Sequence, residues 1–207
     1  MEEDRIGLRR VAKAVGFLFG FALALPAIVL VWLEKALTKS ELVFAMCCQF
    51  SALIPGPLGV SIRSAYYAAT LDQCSWEVHI GFGSMIVHRG AELEPRVSTG
   101  AYCVIGHARI GTGVRIASHV SIPSGKRQHV NSEGDLVATT AYESVSIGPS
   151  CWIGEGAIIL ADVGASSIVS AGAVVVTAAP DNCILGGNPA RILKQVSIGH
   201  STPDTDQ

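Results

Sequence analysis

A histidine that follows a Ser-Gly pair inside a break in a regular repeat is a candidate general base. In IPSGKRQHV, residues 122–130, His129 comes four residues after Gly125. The polar stretch that begins at Pro123 runs to Ser144 before the surrounding pattern resumes. Imidazole titrates near pH 6.5, so a neutral ring is available at cell pH to take a proton from a hydroxyl. Loops longer than about 12–15 residues inside a compact domain are usually either functional or disordered. Spacing alone leaves two readings of His129 open, a base or a solvated loop side chain. His107 and His119 sit at turn positions inside the repeat, where a structural role or at most a substrate-facing one is expected. Lys126 and Arg127 are either solvated loop charges or contacts for an anionic substrate.

The pattern that the loop interrupts has a period of six. IGFG stands at 80–83, IGTG at 110–113, IGPS at 147–150 and IGEG at 153–156. An aliphatic at the first position is followed four residues later by a small residue or valine. One block runs Val87/Ala91, Leu93/Val97, Thr99/Cys103, Ile105; the next runs Ile110/Val114, Ile116/Val120, Ile122. After the polar segment come Ile147/Cys151, Ile153/Ala157, Ile159, and after a two-residue shortening around Asp162-Val163-Gly164 come Val163/Ser167, Val169/Ala173, Val175. Neither the 3.6-residue period of a helix nor the two-residue period of a two-faced strand produces this. A six-residue repeat means a short strand plus a turn, three to a triangular coil, stacked as an all-β solenoid. The count of hexads predicts about four coils. Glycine at the second position is expected to supply positive φ at the corners.

Composition limits what else the chain can be. The 207 residues carry a net charge of −2, with only 15 Lys and Arg and no basic stripe, which argues against a nucleic-acid partner. Charged residues make up 15% against roughly 25% in ordinary soluble domains. The apolar excess is concentrated near the N-terminus. Residues 14–33, AVGFLFGFALALPAIVLVWL, contain no charge. As a helix they would be about 30 Å long, matching a bilayer core. Acidic Glu2, Glu3 and Asp4 fit a signal peptide poorly. A second apolar run, 42–54, is too short to span and reads as re-entrant or interfacial, ending at Pro55-Gly56-Pro57. Six scattered cysteines without a CxxC pair suggest reduced, mostly buried thiols. The expected organisation is therefore a membrane-associating helical segment (1–57), a linking helix (58–77), the solenoid (78–180) with its loop at 123–144, and a C-terminal segment and tail (181–207).

The later motifs carry a resemblance. CWIGEGAII at 151–159, VSAGAVV at 169–175, Pro180 and GGNPARILK at 186–194 resemble, in that order, the hexapeptide-repeat acyltransferases, especially galactoside and xenobiotic acetyltransferases and O-acetyltransferases of polysaccharide biosynthesis. The lead-in IPGPLGVSIRSAYYAATLDQC is also similar to members of that group. The resemblance implies a left-handed parallel β-helix, acetyl-CoA as acyl donor, no metal, a homotrimer with active sites between subunits, and His129 as the base that activates an acceptor hydroxyl. Carried over residue by residue, Trp152, Gly154, Ala171, Gly172, Val176, Arg191 and Lys194 become candidates for the coenzyme A groove; each also has a structural reading as a coil cap, a corner or a surface charge. Val176-Thr177-Ala178-Ala179-Pro180 lacks the lysine that relatives often carry before the proline, which weakens one phosphate contact. The implied acceptor is a sugar or lipid-linked saccharide, and acetyl-CoA would place the catalytic domain in the cytoplasm. A γ-class carbonic anhydrase shares the β-helix, but its pair of histidines five apart does not occur here. A non-catalytic membrane-attached β-helix scaffold is the alternative.

Overall fold

The computed structural model describes residues 2–125 and 143–195, with side chains from residue 11 onward. Three helices come first: α1 (Glu2–Leu37), α2 (Leu42–Ala52) and α3 (Gly56–Thr70). Fifteen short strands follow: β1 (Gln73–Cys74), β2 (Met85–Ile86), β3 (Glu92–Leu93), β4 (Ser98–Thr99), β5 (Val104–Ile105), β6 (Ala108–Ile110), β7 (Arg115–Ile116), β8 (Ser121–Ile122), β9 (Val145–Ile147), β10 (Trp152–Ile153), β11 (Ile158–Ile159), β12 (Ile168–Val169), β13 (Val174–Val175), β14 (Cys183–Gly187) and β15 (Ala190–Gln195). They form three parallel walls. Wall A is β1-β3-β6-β9, wall B is β4-β7-β10-β12-β14, and wall C is β2-β5-β8-β11-β13. The chain visits A, B and C in turn, one strand each per coil. β15 folds back antiparallel on β14 and closes wall B.

The first-position aliphatics point inward and stack coil on coil. Leu93, Ile110 and Ile147 pair in wall A, Thr99, Ile116, Ile153 and Val169 in wall B, and Ile86, Ile105 and Ile122 in wall C. Nearly all are buried, as are the fifth-position Val97, Cys103, Val114, Val120, Cys151, Ala157 and Ala173. Burying an Ile or Val side chain is worth about 1.5–3 kcal/mol, so this ladder supplies much of the driving force.

The solenoid has about six turns rather than four. The first begins at Gln73–Cys74 and passes through His79–Ile80, where the hexad pattern is weak. The last two are each entered through a single-residue bridge, Ile147↔Val163 and Val163↔Ala179. Ile86, not Val87, is the inward residue of the first coil. An extra residue in the following corner separates Ile86 from Leu93 by seven, so counting back by six lands one residue off. The corner glycines also act differently from expectation. Positive φ falls at the fourth position, at Gly113, Gly156 and Gly172 and at Ser150. The second-position glycines are required for close stacking. A Cβ on Gly154 would lie 2.5 Å from the Ala171 nitrogen of the next coil.

The helices cover the first coil. α3 lies on its open end. Ser64 Oγ donates to Val78 O, the Arg63 Nε–H donates to Ile80 O, and the Ile86 N–H donates to Tyr67 Oη. Arg63 is fully buried, and its Nη1 also holds the C-terminal carbonyls of the α2 turn, Ser51 O and Ile54 O. α1 packs lengthwise on α3 along a stripe of Gly20, Ala24, Ile28 and Val31. Five of the six cysteines are buried, Cys74 is half-buried, and all six are free thiols.

Candidate active site

The repeat opens at one corner, between walls C and A. Ile122 ends the third coil and Ile147 enters the fourth, while the flanking strands keep their register. Ser121 pairs with Val104 below and Ile158 above, and Ala108 pairs with Val145. The neck of the excursion is hydrogen-bonded shut. The Glu143 N–H donates to Ser124 O (3.1 Å), the Val145 N–H to His107 O (3.1 Å), and the Gly125 N–H to Pro123 O (2.9 Å). Buried Ser124 accepts the His107 N–H on its Oγ at 2.8 Å. Gly125 has φ +85°, and a Cβ there would meet Glu143 Cβ at 2.5 Å, so glycine suits the chain's departure. Residues 126–142, and with them His129, Lys126 and Arg127, lie outside the described residues.

A cleft of about 380 Å³ adjoins the neck. It is lined by Gly125, Glu143 and Ser144 on the loop side and by Leu160, Ala161, Asp162 and Ala178 from the two coils above. Asp162 is occupied structurally, accepting the Ser146 N–H at 2.8 Å. A larger cleft, about 560 Å³, lies on the outer face of wall A toward its far corner, where Arg109 pairs with Glu92 at 3.1 Å.

Below the neck the same corner carries a column of polar groups joined to the helices. His107 stacks on His88 of the first coil, with ring centroids 4.7 Å apart. His88 Nδ1 lies 2.9 Å from Glu41 Oε2, in the turn between α1 and α2. The hydrogen bond from His88 holds the Glu41 carboxyl below its ordinary value, against the opposing effect of partial burial. Burial, with a smaller contribution from the charge on His88, lowers the basicity of His107, which favours its neutral form. Beside them buried Arg89 lies 3.5 Å from both Glu34 and Glu41. Glu34 in turn accepts the Val43 and Phe44 N–H groups at the start of α2, at 2.7 and 3.0 Å. No short-range motif marks this column. Glu41 and His88 are 47 residues apart, and only coil stacking places His88 under His107.

The groove candidates fall elsewhere on the triangle. Trp152 is 55% exposed on the outer face of wall B. Its register row runs through Ile168 and Ile184 to Lys194 on β15, so Trp152 and Lys194 share one face, three strand spacings or roughly 14 Å apart. Arg191 is exposed on the same hairpin, opposite Gly186. Gly154, Ala171 and Gly172 form the corner between walls B and C, stacked directly on one another. Val176 alone of this set lies at the loop corner, next to the cleft. Within one chain the loop neck and the face holding Trp152 and Lys194 are on different sides.

The crystal structure of a maltose O-acetyltransferase from Clostridium difficile 630 superposes with a TM-score of 0.65 at 19% identity, over 74% of this chain and 85% of that one. The fold is that of the hexapeptide-repeat acyltransferases, a left-handed β-helix. A hexapeptide-repeat acetyltransferase from Vibrio cholerae aligns over 74% of this chain and 89% of its own, at 20% identity and a TM-score of 0.48. In sequence, the Saccharomyces cerevisiae protein YJL218W, whose assignment as an acetyltransferase is itself provisional, is 35% identical over 60 residues. That match covers 28% of this chain and 31% of the yeast protein, so the chain spans about a third of the length of the curated relative it matches. No family model matches the chain.

Proposed function

We propose that the protein is an acyltransferase that moves an acetyl group from acetyl-CoA to a hydroxyl of a sugar or lipid-linked saccharide, with His129 as general base. The observation that carries this reading is the opening of an otherwise unbroken β-helix at a single corner, its neck closed by Ser124 and Glu143 beside a cleft of about 380 Å³. The acetyltransferase fold of the maltose O-acetyltransferase supports it.

In the proposed mechanism neutral His129 removes the proton as the acceptor oxygen attacks the thioester carbonyl. The tetrahedral oxyanion is held by backbone N–H donors. Its collapse breaks the C–S bond, and the proton on the imidazolium passes to the departing thiolate. Trp152, Gly154, Ala171, Gly172, Val176, Arg191 and Lys194 are proposed to line the coenzyme A path. Since the neck and most of this set lie on different sides of one triangle, a complete site is proposed between two copies in a homotrimer. The N-terminal segment is proposed to hold the protein on the membrane with the catalytic domain in the cytoplasm, which suits a lipid-linked acceptor.

Release of free coenzyme A thiol in the presence of a panel of saccharide acceptors is the test. His129→Ala should lower turnover by a factor of about 10²–10⁴, the usual contribution of a positioned base, with coenzyme A affinity unchanged. His129→Asn should fail as badly, because it keeps polarity without a proton-accepting nitrogen. A wild-type protein that turns over no acyl-CoA with any acceptor would favour the scaffold instead; near-full turnover by His129→Ala would remove this residue from the mechanism.

A further inference from the structure

α1 is apolar enough to cross a bilayer. The most apolar 18-residue window within Val11–Leu37 has a mean hydropathy of 2.5, and only 22% of that window is buried in the protein. What decides its orientation is how its ends are tied. At one end Lys13 Nζ donates to Glu77 O at 2.6 Å, and Phe17 meets the Trp76 ring edge-on at 5.9 Å. At the other, Lys35 pairs with Asp72 at 2.7 Å, Glu34 faces Arg89, and Trp32 Nε1–H donates to Ala69 O at 2.8 Å. Lys13 and Lys35 are 22 residues apart, about 33 Å along a helix. Yet their partners, Asp72 and Glu77, are five residues apart in one continuous segment, which can span at most about 18 Å. Long lysine side chains make up the difference. Two polar residues that close cannot stand on opposite sides of a hydrocarbon core about 30 Å thick.

We infer that α1 does not cross the membrane but lies in its plane, embedded in one leaflet, with the β-helix standing on it. This rests on the membrane attachment proposed above. The embedded face is the one turned away from α3. On α1 it presents Leu18, Phe19, Leu30 and Leu33, all exposed. The occupant is lipid rather than a second copy because of how the face is framed. It is uncharged from Ala14 to Leu33, and exposed Lys39 stands just beyond its C-terminal end, placed to meet anionic headgroups. Trp32, half in contact with α3 and half exposed, takes the position typical of an interfacial indole. In this orientation the loop neck, two strand spacings or roughly 10 Å beyond the first coil, is held on the side away from lipid.

The full chain synthesised without cells in the presence of preformed sealed vesicles of phosphatidylethanolamine and phosphatidylglycerol tests this. Three single variants, Val11→Cys, Leu30→Cys and Lys39→Cys, are treated with a membrane-impermeant maleimide. The native thiols give little background, since burial raises Cys103 and Cys151 and pushes Cys74 up to about 12. In floated, vesicle-bound protein, the thiols introduced at 11 and 39 should both label from outside to the extent seen after detergent. The thiol at 30 should be protected at least tenfold until detergent is added. Protection at one of positions 11 and 39 with labelling at the other would mean a spanning helix and overturn the inference, leaving attachment intact. Full labelling at 30 in bound protein would overturn the embedded face. Failure to float, with a soluble dimer by light scattering, would overturn both the inference and membrane attachment.

Discussion

Replacing Arg89 with methionine should undock the helical layer from the first coil. The methionine keeps most of the buried stem volume and removes the cation. Glu34, whose side chain is 5% exposed, then loses its countercharge inside the protein. Breaking a buried pair by removing one partner costs about 3–5 kcal/mol. Here the lower end applies, because Glu34 keeps two α2 amide donors and the favourable end of that helix. Glu41 adds little, being 32% exposed and still bound to His88. A loss of about 3 kcal/mol corresponds to a fall of roughly 6–12 °C in Tm for a chain of this size. Thermal unfolding followed by tryptophan fluorescence reads it, since Trp32 of α1, two residues before Glu34, bonds to α3 and reports undocking. The double variant Glu34→Gln/Arg89→Met should recover most of the loss, because it leaves no unpaired charge in the core. A fall below 2 °C for Arg89→Met, or a double variant no more stable than the single, would refute the claim that the buried charge couples helices to solenoid.

Two further outcomes follow from close contacts and from titration. Gly20→Ala should lower Tm by several degrees, because its Cβ would lie 2.3 Å from the Ser61 carbonyl oxygen on α3. Gly16→Ala, whose nearest neighbour is Ser61 Oγ at 3.3 Å, should be close to neutral; equal effects in a melting comparison would contradict the packing described. Burial lowers His79 and His107 from their ordinary 6.5, so the folded chain binds fewer protons than the unfolded one. Their full stability is therefore present above about pH 6.5 and is lost as pH falls below it, and Tm should drop between pH 7 and pH 5.5. His107→Gln should shrink that drop, and an unchanged drop would mean His107 does not contribute.

The hexad ladder was legible because every inward residue of the solenoid repeats an identical environment. Ile110, Ile116 and Ile122 announce three walls by spacing alone, and the interruption at Pro123 announces a loop. The first coil was less legible. Its single-residue bridge at His79 and its seven-residue step from Ile86 to Leu93 break the count, and its stacking is shared with Tyr67 and Arg63 of a helix rather than with another hexad. The last two coils hid for a related reason, since Val163 and Ala179 form single bridges instead of strands. The second-position glycines were visible, but the reason for them was not, because the closest backbone contact that excludes a Cβ is with the next coil, at least seventeen residues away.

By itself the sequence determined the repeat, the three-walled solenoid, the place of the loop and the apolar character of residues 14–33, because all of these are local periodicities or local compositions. Tertiary structure alone decided that His88 stands beneath His107 and against Glu41, that Glu34 and Arg89 meet in the interior, and that both ends of α1 return to one short segment of the first coil. Those pairings join residues between 19 and 64 positions apart. The physical reason is that side-chain types at such distances carry no mutual signal until the coils stack at a fixed spacing and the helices settle across their end.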